Sequence, residues 1–338
     1  MKTLHIVSPN AAGSALFDLQ VLSQTEPAAH RVCFLGNAPP NWPSTTIPTD
    51  SLGWRHWLDF RPLWGLARLA KNWRPEVLVA WDLCGLRLAK LAAPRICAAV
   101  VIRNSEALSC QGLTVWDKRC LAAAKTILTA THADAARWEA GGFRASSIRV
   151  VSPAALYPIP AGEPDRPRIV CFGPLEREYG FHQAIWTFDI LQFVDDRVEL
   201  VIVGDGSQRR RLEDFARRIG MKDRIRFPGP MAAEEAMAKA SVVWVPSVAD
   251  CGSEAAVQAM AAGKAVAGSR WPALSEVVVD KETGLLVKPG NPVALAQVTK
   301  SLLDDVPLRK RMGEAGRRRA VNLFSADAFV KAWQQAVA

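Results

Sequence analysis

The stretch Val242–Gly284, VVWVPSVADCGSEAAVQAMAAGKAVAGSRWPALSEVVVDKETG, alternates short apolar runs with polar loops and helix-forming segments. Val242–Val245 is continuously apolar and ends at Pro246, which suits a strand buried on both faces. After the polar loop Ser247–Glu254, Ala255–Ala262 is rich in helix formers. It closes at Gly263, the residue type that takes the left-handed C′ position. Lys264–Gly268 reads as the next strand, Trp271-Pro272 breaks the chain, and a short helix is expected around Ser275–Val279. In a strand–helix–strand succession of this kind, ligands sit beyond the carboxyl ends of the strands. Helix N-termini point backbone N–H groups outward there. The loop Ser247–Glu254 is therefore the leading candidate for ligand contact.

Upstream, the same alternation repeats. Strands are expected at Arg168–Phe172, Val198–Val203 and Arg224–Phe227, and helices at Phe181–Phe193, Gln208–Arg218 and Ala233–Ala240. The order implies a parallel sheet with helices on both faces. Leu295–Val306, Arg309–Phe324 and Ala326–Val337 read as three further helices. Tyr157–Arg168, YPIPAGEPDRPR, holds four prolines in a polar context and reads as a linker between two domains of ordinary size.

The N-terminal half follows the same pattern less clearly. Strands are expected at Thr3–Val7, Arg31–Leu35, Glu76–Ala80, Ala98–Ile102, Ala122–Leu128 and Ile148–Val151. Ser8–Ser14 reads as a loop of small residues whose Gly13 lets a substrate approach the backbone, or simply as a tight turn. Helices are expected at Ala15–Ser23, Leu83–Leu91 and Thr131–Gly141, the last capped by its threonine. Asn41–Arg74 carries Trp42, Trp54, Trp57, Trp64 and Trp73 among Arg55, Arg61, Arg68, Lys71 and Arg74. Aromatics and cations at helical spacing suit a membrane interface. Pro40, Pro43, Pro48 and Pro62 interrupt any continuous amphipathic helix, which favours core aromatics with arginines at the rim.

Charge is uneven along the chain. Residues 1–155 hold 17 Lys and Arg against 10 Asp and Glu, an excess of 7; the remainder holds 25 against 23, an excess of 2. A basic N-terminal half suits an anionic acceptor or an anionic membrane surface, or is a solvated basic surface and no more. The seven cysteines form no CxxC pair, and their odd number argues against a closed disulfide framework. The five histidines show no HxxxH or HExxH spacing, so no metal site is expected. MKTLHIVSPNAAG turns polar too soon for a signal peptide, and no apolar run approaches membrane-spanning length. The expected location is cytoplasmic. Arg209–Arg218 and Arg309–Arg319 carry acids among their basic residues and read as solvated helix faces rather than a nucleic-acid surface.

The ordered set Val203-Gly204-Asp205-Gly206, Phe227-Pro228-Gly229, Pro246-Ser247, Gln258–Gly263, Ser269, Glu276 and Thr283–Val287 resembles the donor-nucleotide half of retaining glycosyltransferases of family 4. That resemblance implies a GT-B fold: two doubly wound Rossmann-like domains facing across a cleft, with the last helix returning to the N-terminal domain. The implied boundaries are 1–156 for the acceptor-side domain, 157–167 for the linker, 168–322 for the donor domain and 323–338 for the returning helix. It implies a donor that is a UDP- or GDP-sugar, a glycan, lipid or small-molecule acceptor, and neither cofactor nor metal. Asn104 falls near the place of a histidine that faces the sugar, with Gly13 and Asp82 on the acceptor side.

The same resemblance places Gly173, Asp250, Gly252, Ser253, Glu254 and Gln258 at the donor, with Arg177 beside the diphosphate. Several expected residues are replaced. Pro174 and Tyr179 stand where an arginine and a lysine are usual, and Asp250 and Gln258 where two glutamates are usual. Arg177 is placed to substitute for the missing cations, although Glu176 and Glu178 flank it. Two functions follow from the resemblance. The first is sugar transfer with retention, in glycan or cell-envelope biosynthesis at the inner membrane face. The alternative is an inactive homologue serving as a glycan-binding or partner subunit.

Overall fold

A computed structural model of the chain describes residues 1–9, 12–25, 27–38, 42, 47–54, 59–101, 113–155, 164–231 and 233–337, without the side chains of 12–17 and 234. The chain forms two compact units. Unit 1 is Met1–Ala154 with Ala326–Ala338, and unit 2 is Ala155–Ser325.

Unit 1 is built on seven strands: β1 (Thr3–Val7), β2 (His30–Phe34), β3 (Thr49–Ser51), β4 (Val77–Ala80), β5 (Cys97–Val101), β6 (Thr126–Thr129) and β7 (Ile148–Val150). All pairings are parallel and the order is β3-β2-β1-β4-β5-β6-β7. Its helices are α1 (Ala12–Thr25), α2 (Arg61–Trp73), α3 (Leu83–Ala92), α4 (Val115–Ala122) and α5 (His132–Ala140), together with the chain's last helix, Ala326–Val337. Unit 2 carries β8 (Arg168–Phe172), β9 (Glu199–Val203), β10 (Ile225–Gly229), β11 (Val242–Val245), β12 (Ala265–Ser269) and β13 (Gly284–Val287), in the parallel order β10-β9-β8-β11-β12-β13. Its helices are α6 (Phe181–Gln192), α7 (Arg209–Arg218), α8 (Ala233–Ala238), α9 (Ser253–Ala261), α10 (Pro272–Val277), α11 (Pro292–Asp304) and α12 (Val306–Leu323); the last helix of the chain is α13. Both sheets are doubly wound, as the alternating pattern requires.

The central strands, such as β1, β4 and β11, are buried on both faces because helices cover both. Every residue of β11 is buried, and its Trp244 donates from Nε1 to Thr299 Oγ1 on α11 at 2.7 Å. A buried indole N–H is thereby satisfied, and truncating this side chain would cost about 3–5 kcal/mol. Helix α9 is the interior element of unit 2: Ser253 and Ala255 through Ala261 are all buried. A helix apolar all round belongs in a core. It ends as the sequence indicates, with Gly263 at φ +67° just past its C-cap.

Several expected boundaries are corrected. The strand expected at Ala122–Leu128 is only Thr126–Thr129, because α4 extends through Ala122. That helix is set by a capping box: Thr114 Oγ1 accepts from Asp117 N, and the Asp117 carboxylate accepts from Thr114 N. The small-residue segment around Gly13 is helix from Ala12 onward rather than loop. The short helix expected at Ser275–Val279 starts earlier, at Pro272, where proline suits the first helical turn. Edge strands β3 and β13 were not anticipated. The linker lies mostly outside the described residues. Of the tryptophan-rich stretch, Trp42 packs edge-to-face on Phe34, and Trp54 and Trp73 lie against the core of unit 1. Trp64 is instead 75% exposed. Trp57 lies outside the described residues.

Candidate functional site

Each sheet reverses its strand order at one point, between β1 and β4 in unit 1 and between β8 and β11 in unit 2. The crevice beyond the carboxyl ends at such a point is where doubly wound sheets bind ligands. In unit 2 three loops meet there. The loop after β8 is tied to the loop after β9 by Gly173 N to Val203 O (3.0 Å), Leu175 N to Asp205 O (2.9 Å) and Gln208 N to Leu175 O (2.9 Å). It is tied to the loop after β11 through one carbonyl: Glu178 O accepts from Val248 N (2.9 Å), Ala249 N (3.3 Å) and Cys251 Sγ (3.4 Å).

Two glycines permit this approach. At Gly180 (φ +71°) a Cβ would stand 2.1 Å from Pro246 O, and at Gly204 (φ +136°) one would stand 1.9 Å from Gly173 O. No side chain fits at either place. Gly173 itself has φ +149°, and a Cβ there would lie 3.2 Å from the Tyr179 ring. Tyr179, in the place of the expected lysine, thus lies against the start of this loop.

The charged residues of the loop have separate fates. Glu176 accepts from Ser207 N (2.7 Å) and Ser207 Oγ, which turns its carboxylate onto the β9 loop. Its negative charge is engaged there. Arg177 opens a 3-10 turn and is exposed, and its guanidinium makes no hydrogen bond or ion pair among the described residues. Glu178 Oε2 and Ser247 Oγ are buried polar atoms without a hydrogen-bond partner among the described residues. Buried polar atoms of native proteins are nearly always paired, so two orphans in neighbouring loops suggest groups that a ligand completes.

Asp250 lies in the expected loop and is engaged within the fold. It is 8% exposed, and its Oδ1 accepts from Ala273 N at 2.9 Å. A carboxylate twenty-odd residues upstream therefore caps the first turn of α10. Trp271 Nε1 donates to Ser247 O at 3.0 Å and joins the same two segments. Gly252 (φ +90°) is the N-cap residue of α9, where a Cβ would meet Val245 Cγ1 at 2.6 Å. Ser253 and Glu254 form the first turn, and their N–H groups are of the kind that hold an anion. Gln258 is on α9 and fully buried. Gly173, Arg177, Asp250, Gly252, Ser253 and Glu254 thus all lie on loops or helix starts at the carboxyl edge of one sheet. Ser247 opens the loop that the sequence marks for ligand contact, but its buried hydroxyl was not singled out, and the Glu176–Ser207 clamp was not foreseen.

In unit 1 the corresponding point holds Ser8, just after β1, and Asp82, just after β4. Ser8 Oγ donates to Asp82 Oδ2, and Asp82 Oδ1 accepts from Gly85 N at 2.7 Å as the N-cap of α3. Burial raises the carboxyl pKa of Asp82, opposed by the bonds from Ser8 and Gly85 and by the charge of Arg87. Gly13 lies in the first turn of α1, and Asn104 falls outside the described residues. Among the described residues no cluster of three or more His, Cys, Asp and Glu side chains is arranged to hold a metal ion. No helix among them is long and apolar enough to cross a membrane.

Residues 159–319 match the family model for glycosyl transferases group 1. Glycogen synthase of Mycobacterium tuberculosis is 31% identical over 176 residues, which are 51% of this chain and 42% of that protein. D-inositol 3-phosphate glycosyltransferase of Corynebacterium diphtheriae is 37% identical over 121 residues, 35% of this chain and 28% of its own. The chain therefore spans less than half the length of these curated relatives. Among solved structures, Anabaena HepE in complex with UDP and glucose superposes with a TM-score of 0.83 at 17% identity, covering 99% of this chain and 98% of that one. This likeness is one of fold: two Rossmann-like parallel-sheet units of the GT-B kind.

Proposed function

We propose that this protein is a glycosyltransferase that moves a sugar, with retention, from a nucleotide-diphosphate sugar to a glycan, lipid or small-molecule acceptor in glycan or cell-envelope biosynthesis. The observation that carries the reading is the crevice of unit 2, where the N-terminal turn of α9, the exposed Arg177 and the glycine-opened loops share one sheet edge. The match of residues 159–319 to group 1 glycosyl transferases supports it, as does the fold shared with a protein bound to UDP and glucose.

Transfer breaks the bond from the sugar's anomeric carbon to the diphosphate oxygen and leaves negative charge on the nucleotide. The N–H groups of Gly252–Glu254 and the guanidinium of Arg177 stabilise that charge, so the chemistry asks for neither metal nor cofactor. Gly173 lets the donor approach the backbone, while Asp250 positions α10 and Gln258 lies beneath the crevice. Asp82 and Gly13 belong to the acceptor side, and Asn104 is assigned there by resemblance alone. The protein works in the cytoplasm, seated peripherally on an anionic membrane face through unit 1. Phe60 and Trp64, 65% and 75% exposed, stand on and beside α2 with Arg61, Arg68 and Lys71.

Thermal-shift titration with UDP, GDP and their sugars, followed by a donor-hydrolysis assay, tests the reading. Stabilisation by one diphosphate together with sugar release is expected. Binding without turnover against any acceptor would favour the inactive glycan-binding or partner subunit, and no stabilisation at millimolar nucleotide would overturn the donor site itself.

A further inference from the structure

The groove between α6 and α7 in unit 2 is unlike the rest of that unit's described surface. His182, Trp186 and Phe193 recur at helical spacing along one face of α6 and its C-cap. Trp186 is 49% exposed, Phe193 82% and the adjacent Val194 61%. From α7, Phe215 stacks on His182 with centroids 4.2 Å apart and planes 18° apart. It lies 6.2 Å from Trp186 with planes 9° apart. The three rings thus stack with near-parallel planes, His182 against Phe215, and Trp186 forms the exposed end of this aromatic shelf. A cavity of about 340 Å³ opens beside it, lined by His182, Arg211, Phe215, Arg218 and Ile219.

The charges around the shelf are not self-compensated. The acids of α7 are engaged, Glu213 with Arg209 at 2.9 Å and Asp214 with Arg217 at 2.8 Å. Arg211 makes no hydrogen bond or ion pair among the described residues, and Arg218 reaches only the backbone carbonyl of Asp214, at 3.3 Å. Two guanidiniums therefore stand seven residues apart on one helix, about 10 Å, with an aromatic between them. His182 lines the same cavity as this pair, and burial first, then the charge of Arg211, lower its pKa. The ring is a neutral plane at pH 7, not a third cation.

We infer that this groove binds an acidic sugar chain, the rings of the sugar packing on Trp186 where it emerges beside Phe215, and its acid groups pairing with Arg211 and Arg218. The C–H face of a pyranose fits a flat exposed aromatic, and guanidiniums hold carboxylates or phosphates by paired hydrogen bonds. Charge spacing selects this class over a polynucleotide. A polynucleotide carries a phosphate at every residue and would meet Asp189, one turn beyond Trp186, as well as the two cations. A glycan with an acid only at intervals meets cation, ring and cation in turn.

None of the residues lining the groove is among those placed at the donor, so variants there test it independently of the proposed transfer. Isothermal titration of the full chain with a hyaluronan oligosaccharide, which carries a carboxylate on every second sugar, a malto-oligosaccharide of equal length and an oligo-dT would be compared with Trp186→Ala and with the double variant Arg211→Ala/Arg218→Ala. All three side chains are substantially solvent-exposed, and circular dichroism verifies that the variants fold. The hyaluronan oligosaccharide is expected to bind, with each variant weakening it by about tenfold or more. The malto-oligosaccharide is expected to bind more weakly, and the response to UDP to be unchanged. No heat at millimolar hyaluronan oligosaccharide, binding indifferent to both variants, or equal capture of oligo-dT through the same residues would each overturn the assignment.

Discussion

Arg177 and Asp250 sit in neighbouring loops and make opposite demands on a substitution. The Arg177 guanidinium is exposed and unpaired among the described residues, so its removal takes nothing from the fold that the structure shows. Arg177→Ala is expected to leave the unfolding midpoint unchanged while weakening nucleotide-diphosphate binding about tenfold, the scale of a charge-assisted hydrogen bond. Calorimetric titration beside a thermal melt reads both quantities. The Asp250 carboxylate holds Ala273 N at 2.9 Å and is nearly buried. Asp250→Ala should therefore destabilise unit 2 by about 1–2 kcal/mol, the worth of a helix cap. Asp250→Asn, which keeps an oxygen acceptor, should recover part of this. If Asp250→Asn keeps full stability yet loses the nucleotide, the carboxylate is a donor contact and the capping account fails. The sequence puts Asp250 in the loop after β11, but nothing in it names Ala273 as the partner. A hydrogen bond across two loops is fixed only once β11 and β12 lie side by side.

Among the elements, the juncture of the loops after β8 and β11 depends on Gly180. Its φ of +71° and the 2.1 Å approach of Pro246 O to a built Cβ are separate obstacles to a side chain. Gly220, φ +76°, offers nearly the same backbone conformation with nothing within 4 Å. Gly220→Ala is expected to cost about 1 kcal/mol from conformation alone, and Gly180→Ala clearly more because two backbones must part. Only the Gly180 variant should also lose nucleotide stabilisation. Denaturant unfolding of both, with and without nucleotide, separates strain from steric displacement, and equal losses would contradict the contact. At this scale the sequence was most legible where elements are buried on both faces. Strands such as Val242–Val245 and helix α9 announce themselves by continuous apolar runs and a terminal glycine. It was least legible at sheet edges. Thr49–Ser51 has too few apolar residues to read as a strand and exists because β2 offers it a partner. The start of α4 was hidden for a related reason: in Thr114–Asp117 the capping pair, not periodicity, sets the boundary.

For the whole chain, the C-terminal helix decides which unit the end of the sequence stabilises. Residues 326–338 belong to unit 1, although unit 2 lies between them and the rest of it in sequence. The attachment runs through a buried ring cluster. Trp333 on α13 stacks on Trp81 (5.7 Å, 14°) and lies 5.8 Å from His5. An indole only donates, so the bond from Trp81 Nε1 to His5 Nδ1 at 3.3 Å places the His5 proton on Nε2, which donates to His30 Nδ1 at 2.9 Å. His5 is buried in this neutral form. Burial, and then the neighbouring His30, hold its pKa well below 6.5. The unfolded chain therefore takes up the proton first as pH falls. Stability from this group is full above about pH 6.5 and declines below it until the folded pKa is reached. Unit 1 is expected to melt at progressively lower temperature between pH 7 and pH 5, with tryptophan emission shifting as Trp333 and Trp81 separate. His5→Asn, which cannot titrate, should start less stable but show a flatter slope over that interval. Deleting residues 326–338 should lower the stability of unit 1 while leaving nucleotide stabilisation of unit 2 in place. A slope unchanged in His5→Asn would move the acid sensitivity to another group and leave the ring cluster a packing device alone.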